Sequence, residues 1–296
     1  MEQLGFWEVE AQSKVVNVSS VPQRSPFRYP GGKTWLIPQI RDWLKHFPLK
    51  PKLFIEPFAG GAIAGLTVAF ENLAEAVILV EKDEQVAAVW KTILSTKDGA
   101  DWLANEIAGF ELTLESAKHL LLSKQTSVKK LALKTIVQNR ISHGGILANG
   151  AGLIKNGEKG KGILSRWYPQ TLRKRILDIS KIKERIKFIQ GDGFEIIKKN
   201  QQSPNSVFFV DPPYTASKKK AGSRLYKYHQ IDHERLFGLM SKTNGDFLMT
   251  YDDAEEVRSL AVKYRFETRL ISMNNTHHAT LRELLIGKDL SWVDKS

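Results

Sequence analysis

The stretch SVFFVDPPYTASKKK, residues 206–220, passes from an apolar run into a carboxylate, two prolines and an aromatic ring. Val207, Phe208, Phe209 and Val210 predict a strand covered on both faces, which favours a parallel sheet flanked by helices. Asp211 then stands at the carboxyl end of that strand, the edge where open α/β sheets bind ligands. Pro212 and Pro213 lack N–H groups and have a fixed φ, so they end the ladder and hold the next segment in one shape. The outcome is a stiff loop with free carbonyls, an acceptor at Asp211 and the ring of Tyr214. Taken alone, it reads equally well as a strand followed by a proline-stiffened turn.

Other stretches supply further groups. In EPFAGGAIAG, Pro57 and Phe58 lead into Gly60 and Gly61, with Gly65 beyond. Glycines after a strand let the backbone pass close to a ligand, although the spacing here is not G-x-G-x-x-G. Glu81 ends the next apolar run, about 20 residues on, where an acidic side chain accepts the hydroxyls of a ribose. The pair implies an adenosine-containing cofactor, or else a strand–turn–helix with an incidental glutamate. YPGGKT lacks the glycine that a phosphate loop needs five positions before Gly32, where Phe27 stands. What remains is Tyr29, whose ring can stack on a purine, and Lys33, a cation for a carboxylate. In QGDGFEII, Asp192 can accept from an exocyclic amine beside the apolar face of Phe194, or simply cap a helix. His277 and His278 adjoin, and His143, His229 and His233 are scattered, without the i, i+4 spacing of a ligand set, so no metal is expected.

The elements that must position these groups alternate. FRYPGGKTWLIPQIRDWLKHF carries Trp35, Leu36, Ile40, Trp43, Leu44 and Phe47 at helical spacing. KLFIEPFAGGAIAGLTVAF and AVILVEKDEQVAAVWKTIL each read as strand, turn and helix, the second helix opened by Asp83, which announces a parallel sheet with right-handed crossovers. From residue 97 to 185 the text turns helical, with a glycine- and lysine-rich interruption, and strand–helix alternation then resumes. An interruption of that length inside a compact domain implies a function of its own. The expected organisation is an irregular arm over 1–25, a catalytic domain over 26–96 and 186–296, and an inserted domain over 97–185.

Composition narrows the partners. The 296 residues are 42% hydrophobic, enough for a large core, and Lys+Arg of 44 against Asp+Glu of 32 gives +12, which points to an anionic partner, nucleic acid first. With no cysteine there are no disulfides, thiolate nucleophiles or cysteine-held metals. No basic start with an apolar stretch and no long apolar run is present, so a cytoplasmic protein without membrane association is expected.

Residues 27–287 as a whole resemble the DNA adenine-N6 methyltransferases of the alpha group, the family that includes the Dam enzymes. FRYPGGK looks like the family's aromatic-x-Gly-Gly-Lys cofactor motif, with Tyr29 where tryptophan is usual and Pro30 where alanine is usual. FIEPFAGGAIAGL resembles its glycine motif, VEKD its ribose-binding acid with Glu81 in place of a common aspartate, GDGF its adenine-side motif and DPPY its signature of amino methylation. LRELLIG is similar to the family's last strand, and QNRISHGG shares an Asn-Arg at Asn139 and Arg140. The resemblance implies an α/β, doubly wound, mostly parallel, methyltransferase-type (Rossmann-like) sheet with an inserted, mainly helical target-recognition domain. It implies S-adenosylmethionine as cofactor, held by Tyr29, Gly32, Lys33, Pro57, Phe58, Gly60, Gly61, Glu81, Asp192, Phe194 and Asp211, with Asp211, Pro212, Pro213 and Tyr214 as catalytic residues.

On that resemblance the Asp211 carboxylate and Pro212 carbonyl accept the two amino hydrogens of an extruded adenine stacked on Tyr214. Lys218 and Arg224 then meet phosphates, as do Arg140, Lys155, Lys159, Lys161 and Arg166 of the insertion, with Asn149 and Asn156 as candidates for adenine edges. For any single lysine, solvated charge is the alternative. The expected partner is double-stranded DNA, and a cognate restriction endonuclease is a candidate one. Rival readings are the same chemistry on cytosine N4 or RNA, and a DNA-binding relative without activity.

Overall fold

The computed structural model describes residues 21–29, 31–148, 150–213, 231–274 and 280–293, and gives no side-chain placement for 272–274 and 280–281. Seven strands form one sheet: β1 Leu53–Glu56, β2 Ala76–Glu81, β3 Ile186–Gln190, β4 Ser206–Val210, β5 Asp246–Asp252, β6 Glu267–Asn274 and β7 Thr280–Gly287, in the order β3-β2-β1-β4-β5-β7-β6. The first five pair in parallel; β7 runs antiparallel to both β5 and β6. The expected α/β, doubly wound, mostly parallel sheet is therefore present, with an antiparallel strand inserted near one edge.

Ten α-helices occur among the described residues: α1 Ile37–His46, α2 Ile63–Glu71, α3 Glu84–Leu94, α4 Gly99–Gly109, α5 Leu114–Leu122, α6 Val128–Ile141, α7 Pro169–Ser180, α8 Gly193–Asn200, α9 His233–Met240 and α10 Glu255–Lys263. Their starts follow from local chemistry. Asp83 caps α3 by accepting from the N–H groups of Gln85 (2.8 Å) and Val86 (3.3 Å), and Thr113 and Ser116 form a reciprocal capping pair on α5. None is long and apolar enough to cross a membrane.

The strand pattern explains the two-layer core. In β4, Val207 and Phe209 face one apolar cluster while Phe208 and Val210 face the other, so the strand is buried on both sides. The second cluster is closed by α8, α9 and α10. The first runs from the sheet through α1, α2 and α3 without a break into Leu103, Ile107, Ile136, Ile141, Leu172 and Ile176 of α4, α6 and α7. The helices of residues 97–185 thus share one core with the face of the sheet.

Candidate active site

The strand order reverses between β1 and β4, both of which neighbour each other in parallel register (Phe54 opposite Val207). Crossovers leave that point in opposite directions, which opens a crevice at the carboxyl ends of the two strands. Two constellations meet there, one on the β1–β2 side and one on the β4–β5 side.

On the first side, the loop after β1 makes a tight turn. Ala59 N–H donates to Val80 O (2.9 Å), and Gly60 (φ +47°) and Ala62 (φ 54°) both adopt the left-handed region. Both backbone groups of Gly60 are fixed: its N–H donates to Glu81 Oε2 (2.9 Å), and its carbonyl accepts from Trp90 Nε1 (2.9 Å). A Cβ on Gly60 would lie 2.5 Å from the Tyr29 ring, so the tyrosine packs directly on the glycine turn. Glu81 Oε1 also accepts the N–H groups of Lys82 and Asp83, each at 2.7 Å. Burial raises Glu81 to about 7, against the pull of these N–H donors. Three donors on a carboxylate with about four acceptor positions leave capacity for a further hydroxyl.

The wall beyond Glu81 comes from β3 and α8. Asp192 caps α8 by accepting from Phe194 N–H (2.9 Å), and its other oxygen pairs with Lys82 Nζ (3.0 Å). Phe194 meets Phe58 edge-on at 6.0 Å between centroids, and a Cβ on Gly193 would lie 2.5 Å from Pro57 O. Pro57, Phe58, Gly60, Gly61, Glu81, Asp192 and Phe194, scattered in sequence, are brought to one edge.

On the second side, Asp211 follows β4, and its Oδ1 receives two donors: Thr250 Oγ1 from β5 (2.8 Å) and Lys33 Nζ (2.9 Å). Lys33 Nζ also lies 3.5 Å from Glu283 Oε1 of β7 and donates to Gly31 O (3.1 Å). Burial would lower the Lys33 ammonium, but Asp211 and Glu283 hold it above the ordinary lysine value. Burial lifts Glu283 to about 7, with Lys33 opposing and Asp211 and Asp252 adding. Its Oε2 is buried with no hydrogen-bond partner among the described residues. Tyr251 joins His233 Nδ1 (3.0 Å), and burial, with Asp211 adding, raises its phenol above the ordinary range.

Lys33 therefore reaches the Asp211 carboxylate, and Tyr29 and Gly32 lie on the same loop, where Gly32 N–H donates to Tyr29 O (3.1 Å). Pro212 is buried and Pro213 half-buried beside Asp211. Tyr214, Lys218, Arg224 and Asn149 lie outside the described residues.

In the insertion, Lys155, Asn156, Lys159 and Lys161 are exposed on a loop closed by Gly162 N–H to Asn156 O (2.8 Å), while Arg166 is half-buried. Arg140 is only 5% exposed, and its guanidinium donates to Pro26 O. Its neighbour Asn139 pairs with both backbone groups of Arg28: Oδ1 accepts from Arg28 N–H (2.8 Å) and Nδ2 donates to Arg28 O (2.8 Å). That clamp sits one residue before Tyr29.

Sequence reasoning passed over Glu56, Thr250, Tyr251 and Glu283. Glu56 ends β1 buried, accepts from Gly65 N–H (2.8 Å), and is held well above the ordinary carboxylate range by burial, with Asp211 and Glu81 adding. The available signal was a charge at the end of, or inside, an apolar strand, as in LFIE and LRELLIG.

Comparison with known proteins adds one family. The model of the D12 class N6 adenine-specific DNA methyltransferases matches residues 29–142 and 146–277. No curated protein matches the chain in sequence. Among solved structures, the rRNA methyltransferase aviRa from Streptomyces viridochromogenes is similar at 13% identity over 97% of this chain and 99% of that one, with a TM-score of 0.42. The precorrin-6y C5,15-methyltransferase from Geobacter metallireducens is similar at 6% identity over 88% and 92%, with a TM-score of 0.38.

Proposed function

The chain belongs to the D12 class of N6 adenine-specific DNA methyltransferases, and from that premise we propose that it methylates N6 of an adenine extruded from duplex DNA, with S-adenosylmethionine as donor. The observation that carries this reading is the fixed carboxylate of Asp211 at the reversal of the sheet, across the crevice from a glycine turn bound to an acid.

The residues present fit the cofactor. The left-handed turn at Gly60 has no room for a side chain against Tyr29, Glu81 retains acceptor capacity for a ribose, and Phe58 and Phe194 give an apolar wall for a base, with Asp192 at its edge. When bound, S-adenosylmethionine supplies an electrophilic sulfonium methyl group.

The chain's own contribution is orientation. Adenine N6 is a weak nucleophile because its lone pair is delocalised into the ring. Acceptors at the Asp211 carboxylate and the Pro212 carbonyl favour a pyramidal nitrogen whose lone pair is directed out of the base plane. Lys33 and Thr250 both donate to Oδ1 of Asp211, which sets the plane of the carboxylate. Holding reactants in line at near-attack distance contributes about 7–11 kcal/mol without a strong base. Extruding the base costs a few kcal/mol, and in this reading Tyr214 offsets it by stacking. Residues 97–185 serve target recognition, with Lys155, Lys159 and Lys161 toward phosphates.

The test is Asp211→Ala in the full chain, with methyl transfer to duplex DNA followed by base analysis of the product. The wild type yields N6-methyladenine; the variant loses turnover while cofactor and DNA affinities stay within about tenfold, because the lost interaction belongs to the transition state. Retained turnover would overturn the role of Asp211. A product of N4-methylcytosine, or modification of RNA alone, would overturn the substrate.

A further inference from the structure

The residue that precedes Tyr29 is held by the insertion on both of its backbone groups. Asn139, fully buried near the end of α6, stands 111 positions beyond Arg28 in the chain. Its Oδ1 accepts from Arg28 N–H (2.8 Å), and its Nδ2 donates to Arg28 O (2.8 Å) and to Gly145 O (2.6 Å), just past the helix. A primary amide offers one carbonyl and two N–H donors, so each of these is engaged and the orientation of the side chain is fixed. Gly145 (φ +78°) completes the contact, since a Cβ there would lie 2.2 Å from Arg28 O. Upstream, Arg175 Nη1 donates to Ser25 O (3.1 Å) and Arg140 donates to Pro26 O, so the insertion also holds the approach to Arg28.

The two rings that flank Arg28 both bear on the glycine turn. Tyr29 packs on it directly: a Cβ on Gly60 would lie 2.5 Å from its ring, and one on Gly61 would lie 2.9 Å from its Cβ. Phe27 reaches the turn through Trp90, their centroids 5.6 Å apart, and Trp90 Nε1 donates to Gly60 O (2.9 Å). Phe27 also meets Tyr29 edge-on at 6.3 Å. Fixing the backbone of Arg28 therefore fixes both rings, and with them the turn whose N–H is bound to Glu81. A tie that served stability alone could grip any residue of the segment before Tyr29; this one grips the residue between the two rings. Ligand-binding groups hold their geometry to within about 0.5 Å only when a second set of contacts supports them, and Asn139 supplies such a contact from outside the sheet.

We propose that Asn139 is a positioning residue of the cofactor site, through which the insertion sets the affinity for S-adenosylmethionine by way of Arg28 and Tyr29. The inference rests on the reading of the chain as an S-adenosylmethionine-dependent methyltransferase and deepens it. The coupling is reciprocal by linkage: a cofactor bound against Tyr29 stabilises the tie at Asn139 by the same factor.

The test is calorimetric binding of S-adenosylmethionine to the full chain, with a thermal melt of each variant. Asn139→Ala removes the tie; Asn139→Asp keeps its shape and the acceptor for Arg28 N–H but sets an oxygen against Arg28 O and Gly145 O. Gln138→Ala, which removes the neighbouring tie of α6 to Gln85 of α3 (3.3 Å), is the control. Both Asn139 variants are expected to bind the cofactor about tenfold more weakly, with kcat at saturating cofactor within about twofold of the wild type, while Gln138→Ala binds as the wild type does. In a Tyr29→Leu background, Asn139→Ala should weaken binding by less than about a further twofold, because both changes act on one contact. In the wild type, saturating cofactor should slow amide exchange over residues 141–145 as well as 27–29, a readout that needs no variant to fold. Wild-type affinity in the Asn139 variants, losses that add in full with Tyr29→Leu, or exchange over 141–145 indifferent to cofactor overturns the role of Asn139 alone. Failure of the wild type to bind S-adenosylmethionine overturns both that role and the reading on which it rests.

Discussion

Replacing Lys33 with methionine should produce a stability loss that grows with pH, and its size follows from the ion pairs. The ammonium lies 2.9 Å from Asp211 and 3.5 Å from Glu283, with its own side chain 3% exposed. At an effective dielectric of about 20, the contact with Glu283 is worth about 5 kcal/mol of gross attraction. Glu283 titrates at about 7 with Lys33 in place. Its folded value exceeds the unfolded one of 4.5, so in the wild type it favours folding by proton uptake below about 7, loses that advantage as pH rises from 4.5 to 7, and is neutral to pH above. Without the cation, the folded value of Glu283 moves higher by more than two pH steps, and the variant goes on losing about 1.4 kcal/mol per pH step above 7. At pH 6, Glu283 carries its proton in both proteins, and the variant lacks the contacts of Lys33 with Asp211 and Gly31 O but no attraction to a charged Glu283. At pH 9 the variant's deficit should be larger by about 3 kcal/mol. Urea unfolding followed by the fluorescence of buried Trp43 and Trp90 measures both deficits. Equal deficits at pH 6 and pH 9 would refute the coupling, as would a pH dependence that survives Glu283→Gln in the Lys33→Met background.

Two further changes probe the opposite wall. Glu81→Gln puts an NH2 group where three backbone N–H donors converge, so cofactor affinity measured by calorimetry should fall about 5- to 150-fold, with little change in kcat. The rise in wild-type affinity as pH passes upward through about 7, where Glu81 ionises, should vanish in that variant; its persistence would assign the titration elsewhere. Gly65→Ala places a Cβ 2.4 Å from Leu79 Cδ2 and 2.6 Å from Glu56 Oε2, so despite better helix propensity it should lower stability by about 1–3 kcal/mol, and a stabilised variant would contradict the close packing of α2 on β1 and β2.

The sheet was legible where periodicity was unambiguous. Val207–Val210 reads as buried on both faces because apolar residues occupy both parities, and Asp83 reads as a cap because a helix needs an acceptor there. The insertion of β7 between β5 and β6 was not legible, since alternation records which face a side chain takes and not which strand lies beside it. On β7 itself, Arg282 is exposed and Glu283 buried, two adjacent charges that give pattern reasoning no means of choosing the inward one. The glycine turn and Glu81 were found because their spacing is local to one strand–helix–strand unit. The ties of Lys33 to Asp211 and of Asn139 to Arg28 join distant parts of the chain, and no local pattern encodes them. The resemblance to a known family supplied the chemistry that periodicity lacks.

The unbroken apolar cluster beneath α3, α4, α6 and α7 constrains where such a chain can vary. The side chains of that segment complete one face of the sheet, so replacing it as a unit would open cavities in the cluster that holds Trp90 and Val77, at about 2–5 kcal/mol for each large side chain lost. The exposed side chains of Lys155, Asn156, Lys159 and Lys161 stand outside that packing and are free to change without opening it.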